Sequence, residues 1–114
     1  MTILQILKIA AAVVTIAVGV PSMIQPSSIF SFTGLSVQGV RGTSEIRAIL
    51  GGLFIGLGAA PLILGKPEVY RAVGIVYLAI AIARAFSILF DRSYASSNLI
   101  SLVVEIVFGV ILLI

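Results

Sequence analysis

VYRAVGIVYLAIAIARAFSILF, residues 69–90, is an apolar run long enough to cross a hydrocarbon core of about 30 Å, which takes roughly 20 residues of α-helix. Comparable runs occupy residues 3–23, 44–64 and 97–114. The first is interrupted by Lys8 and Thr15 and reaches Pro21 and Pro26, where helices commonly end. Four crossings would take about 80 positions, leaving almost no extramembrane mass in a chain of 114 residues. The links Gly65-Lys66-Pro67-Glu68 and Asp91 to Ser96 are short, with Gly closing one helix and Pro opening the next, so they require antiparallel neighbours. The expected fold is therefore all-α: one domain, residues 1–114, forming an integral membrane up-down four-helix bundle.

Composition agrees, with 61% hydrophobic and 10% charged residues and a mean hydropathy of +1.30, far from soluble-domain values. The net charge of +3 is spread along the chain and forms no basic patch, so no nucleic-acid partner is expected. Cysteine and histidine are both absent, which removes disulfides, thiol redox chemistry, histidine general-base catalysis and the usual zinc ligands. Neither a cofactor nor a metal is expected. A signal peptide is disfavoured for the first run, which has no early positive side chain and no following A-x-A pattern.

The long connection, residues 24–43, mixes Ser and Gly with Ile29, Phe30, Phe32 and Leu35. That mixture suits the headgroup boundary and predicts a short helical turn over residues 26–32, lying on the membrane surface. Helix two is expected to start with Thr43 or Ser44 as N-cap and Glu45 in its first turn, favourably placed against the helix dipole. Along it Ala48, Gly52, Gly56 and Ala60 recur every four residues, with Gly51 and Gly58 on a neighbouring face. Small residues at this spacing let other backbones approach closely, and two such faces predict a homo-oligomer through helix two.

Lys8, Lys66, Arg71 and the amino terminus flank one side of the membrane, Arg41 and Arg92 the other. Both termini are expected on the cytoplasmic side. This topology gathers Arg41, Glu45, Arg47, Arg84, Asp91, Arg92 and Glu105 in the opposite half. At about 1.5 Å of rise per residue, Arg84 lies roughly 10 Å below Asp91 and Glu105 roughly 12 Å below Ser97. A charge at that depth costs at least about 2.5–3.5 kcal/mol and requires a partner. The two are expected to pair, directly or through water, with Glu45 and Arg47 completing a cluster of four charges.

Spacing supports an inward polar seam on each helix. Tyr70, Tyr77, Arg84 and Asp91 repeat every seven residues, Asn98, Ser101, Glu105 and Gly109 follow three- and four-residue steps, and Lys8, Ala12, Thr15 and Gly19 make a weaker stripe. The candidate ligand-binding residues are Glu45, Arg47, Tyr77, Arg84 and Glu105. Against this stands the reading that Arg84 and Glu105 only specify which helices pack, and that Tyr77 hydrogen-bonds within the bundle.

Gly39, Gly42, the run Glu45-Ile46-Arg47-Ala48, then Gly51-Gly52 and Gly56-Leu57-Gly58 resemble the signature of a bacterial membrane family, domain of unknown function 4345. The resemblance continues through Ala83-Arg84-Ala85-Phe86-Ser87 with Asp91, and Glu105 on the last helix, and covers most of the chain. Ala83 stands where the family pattern has Gly, and Arg92 follows Asp91 where a Gly is more usual. The resemblance implies a DoxX-like four-helix layout and the bacterial inner membrane, with no established reaction. From the residues themselves, the leading expectation is a protein that binds a lipid- or quinone-like amphiphile at its Glu/Arg cluster, or an accessory membrane protein, with membrane lipids as partners. The alternatives are a small dimeric transporter, a purely structural or assembly role, and an enzyme using Glu45 and Glu105, for which nothing fixes a substrate.

Overall fold

Thr2 and Gln5 open the first helix with a reciprocal cap: the Thr2 N–H donates to Gln5 Oε1 at 2.9 Å and the Gln5 N–H to Thr2 Oγ1 at 3.2 Å. The computed structural model describes residues 1–114 and is all-α. Four of its helices are long and apolar enough to cross a membrane: α1 (Ile3–Ile24), α2 (Gly39–Leu64), α3 (Pro67–Phe90) and α4 (Ser96–Leu113). The chain is thus a multi-pass membrane protein. Its contacts form two units, Ile9–Leu64 and Met1–Lys8 with Gly65–Ile114.

α1 runs past Pro21, whose missing N–H costs one hydrogen bond; the chain beyond stays helical, with the Gln25 N–H reaching the Pro21 carbonyl at 2.9 Å. The helix stops at Gln25, which leaves α geometry (φ −139°, ψ 83°) in front of Pro26, as the steric preference of a residue before proline favours. A 3₁₀ turn, Pro26–Ile29, and one α-turn, Phe30–Thr33, follow. Gly34 closes them in the left-handed region (φ 75°), with its N–H on the Phe30 carbonyl.

α2 begins at Gly39, a turn earlier than expected, so Thr43 and Ser44 are not its N-cap. The Thr43 hydroxyl instead donates back to the Gly39 carbonyl at 3.1 Å, as threonines inside a helix do. Glu45 accordingly sits beyond the first turn. Between Ile46 and Gly52 the helix widens into a π-helical segment, after which the Leu53 N–H reaches back five residues to the Ala48 carbonyl.

Within the Ile9–Leu64 unit, α1 and α2 run antiparallel with backbones touching. A Cβ placed on Gly19 would lie 2.7 Å from the Gly51 carbonyl oxygen, one on Gly51 2.9 Å from the Met23 nitrogen, and one on Gly58 2.9 Å from the Ile16 nitrogen and against the Ala12 carbonyl. Gly51 and Gly58 therefore form the face that meets α1. Gly56 has open space around it and Gly52 meets only the end of Met23 and its own helix, so the stripe Ala48, Gly52, Gly56 and Ala60 is not the α1-facing one.

In the other unit, Gly65 (φ 66°) and Pro67 at the first helical position set up α3. α3 and α4 pack antiparallel with Gly74 against Gly109 and Leu113, where an added Cβ would fall 2.8 Å from the Leu113 nitrogen. Tyr77 is buried and meets the Phe108 ring edge-on at 5.6 Å. Between the two helices Arg92 takes a left-handed backbone (φ 54°), a conformation that favours glycine.

Candidate functional site

The seven-residue spacing on α3 carries Arg84 toward α4, and the stripe on α4 answers it. Arg84 Nε donates to Glu105 Oε1 at 2.7 Å and to Oε2 at 3.0 Å, Nη2 donates to Oε2 at 2.7 Å, and Nη1 donates to Asn98 Oδ1 at 2.7 Å. Asn98 in turn donates through Nδ2 to the Ser93 carbonyl at 3.1 Å and to Ser93 Oγ at 3.0 Å, tying the α3–α4 link to the same network. The Glu105 side chain is 10% exposed and that of Arg84 31%. Arginine has five donors in a fixed planar fork, and this carboxylate meets one edge of it bidentately. The expected pairing is therefore direct, extended through an amide to a loop carbonyl, and no buried side-chain polar atom is left without a partner. Farther along the stripe, Gly109 faces Gly74.

The other two members of the expected cluster of four have partners within the Ile9–Leu64 unit. Arg41 Nη1 bonds Glu45 Oε1 one turn on, an exposed pair. Because α2 starts at Gly39, Arg41 is already in helical register with Glu45, and the nearest opposite charge is this i,i+4 neighbour. Arg47 Nη1 donates to the carbonyls of Met23 and, at 3.5 Å, Ile24. Those are among the last carbonyls of α1, which have no partner within their own helix, and a cation there also complements the helix dipole.

Arg47 sits in the π-helical segment of α2, where the helix passes the carboxyl end of α1. Beside it Met23, Val40, Thr43, Ser44 and Ala48 complete the wall of an open groove of about 390 Å³. Its surface is mostly hydrocarbon, with one guanidinium and two hydroxyls. The Thr43 hydroxyl is engaged by Gly39, whereas Ser44 Oγ and the Nε/Nη2 edge of Arg47 make no hydrogen bond to protein. The sequence marked Arg47 but not its groove, since no spacing announces that Met23 and Arg47, far apart in the chain, lie at one level. Nor did it identify Asn98 and Ser93 as partners of Arg84, although Asn98 shares a stripe with Glu105.

No curated protein and no solved structure matches this chain. A family model does, over residues 3–114: by that match the chain belongs to the family described as Domain of unknown function (DUF4345).

Proposed function

We propose that this membrane protein binds an amphiphile in the groove of its α1–α2 unit, with Arg47 as the polar anchor, and that Arg84 and Glu105 serve to hold α3 against α4. The observation that carries the reading is the pairing of an apolar wall with one incompletely engaged guanidinium at the end of α1. Ligand sites combine hydrocarbon lining with a few placed polar groups, and this groove has that make-up. Met23, Val40 and Ala48 would take the hydrocarbon part of the ligand, while Arg47 and Ser44 would take its polar end.

The Arg84–Glu105–Asn98 network favours a structural role for its members, and Tyr77, buried against Phe108, a packing role. The network's cation meets its anion and its amide within the chain, and a charge pair with fixed geometry specifies which helices pack. Glu45, tied to Arg41 beside the groove, would tune the local charge without touching the ligand.

Native mass spectrometry of the detergent-extracted protein tests this reading. An amphiphile should co-purify with the wild type and with the double variant Arg84→Met/Glu105→Leu, and should be lost from Ala48→Phe, which fills the groove from an exposed position. Equal retention by Ala48→Phe would end the proposal.

A further inference from the structure

Arg84 and Arg47 follow one plan up to a point. Arg84 gives Nη1 to a carbonyl oxygen, that of Asn98, and its Nε/Nη2 edge to the carboxylate of Glu105. Arg47 also gives Nη1 to carbonyl oxygens, those of Met23 and Ile24, but its Nε/Nη2 edge has no protein anion. Tethering Nη1 fixes the plane of the guanidinium, so the second edge is pre-aimed. A rigid fork with two parallel N–H donors matches a carboxylate or a phosphate bidentately. The hydroxyl of Ser44 lies on the same wall as a further donor. The nearest acid, Glu45, is held by Arg41.

We infer that the groove takes a phosphate-bearing lipid, its phosphate oxygens on the Nε/Nη2 edge of Arg47 and its acyl chain along Met23, Val40 and Ala48; this rests on the amphiphile-binding reading and narrows it. Charge complementarity decides the class. The groove wall offers a cation and no free carboxylate, so a neutral quinone would accept one hydrogen bond and leave the positive charge uncompensated, whereas a phosphodiester supplies both the charge and two oxygens at the spacing of the fork. The lipid, and not free phosphate, is the source, because the groove is chiefly hydrocarbon and opens on a membrane helix.

The experiment is a native mass-spectrometric titration of the full chain in detergent with phosphatidylglycerol, a phosphate-free galactosyl diacylglycerol and a short-chain quinone. Wild type should hold phosphatidylglycerol most tightly. Arg47→Lys keeps the charge and loses the fork, and should weaken that adduct by roughly tenfold, well beyond its effect on the two neutral probes. Ser44→Asp leaves the Arg47 tether to α1 in place and sets an acid on the groove wall; it should weaken phosphatidylglycerol to a similar degree, and serves if Arg47→Lys proves poorly folded by thermal unfolding. The inference is overturned if a neutral probe binds wild type as tightly as phosphatidylglycerol, if Arg47→Lys or Ser44→Asp retains it fully, or if inorganic phosphate displaces it. Those outcomes leave the groove standing. Binding of every probe unaltered by Ala48→Phe would instead remove the groove itself.

Discussion

In the α3–α4 pair a half-buried guanidinium gives its Nε/Nη2 edge to a buried carboxylate and Nη1 to an amide of the chain; in the α1–α2 pair an exposed one engages a single nitrogen and turns its other edge to an apolar groove. The first arrangement is self-sufficient. Its Glu105 lies about 13.5 Å along α4 from its start, where an unpartnered charge would be costly, and its amide partner anchors the adjoining link. The second belongs to the end of a helix, where spare carbonyls already want a cation and water or lipid headgroups can compete for it. The same residue type thus marks a structural joint in one place and a candidate binding edge in another, and what separates them is whether the second edge meets an anion from the chain.

The largest effect should come from breaking the Arg84–Glu105 pair. Glu105→Ala leaves Arg84 without its counter-charge and should lower stability by about 3 kcal/mol, read from unfolding in mixed micelles, while Arg84→Met/Glu105→Leu should recover most of that loss. If the double variant were as unstable as the single one, uncompensated charge would not be the cause. Next come the backbone contacts: Gly58→Ala pushes a methyl into the Ala12 carbonyl and should cost about 1–3 kcal/mol, whereas Gly56→Ala, in open space, should be neutral or slightly stabilising. Equal costs at the two positions would mean that Gly58 does not set the α1–α2 distance. Smallest is the exposed Arg41–Glu45 pair, where Arg41→Ala should change stability by no more than about 0.5 kcal/mol; a larger loss would show that Glu45 does more than hold its neighbour.

The four spans were legible because length and hydropathy alone decide them, and Arg84 with Glu105 because two charges deep in hydrocarbon have few ways to be satisfied. The grouping of Glu45 and Arg47 with that pair did not anticipate the partners the structure gives them, Arg41 for Glu45 and the Met23 and Ile24 carbonyls for Arg47. It rested on the topology, which gathers these charges in one half; with the helix starting at Gly39, Arg41 lies one turn before Glu45 in the same helix and takes it as its partner. The first span, expected over residues 3–23, already runs past Pro21, and α1 does so, to Ile24. Thr2 with Gln5 did carry a signal, a capping box just before an apolar run, that could have been read. The Arg47 groove depends on two distant segments reaching one level, which no local pattern records.

The widened stretch Ile46–Gly52 has a consequence for how this chain tolerates change in length. An α-helix turns by about 100° per residue, so dropping one residue from most places in a span swings everything upstream by that angle onto another side. A π-helical stretch already holds surplus backbone. Shortening it by one residue lets the coil tighten to ordinary α pitch with both flanks still aimed as before, so this is the place in α2 where a lost codon would be absorbed locally.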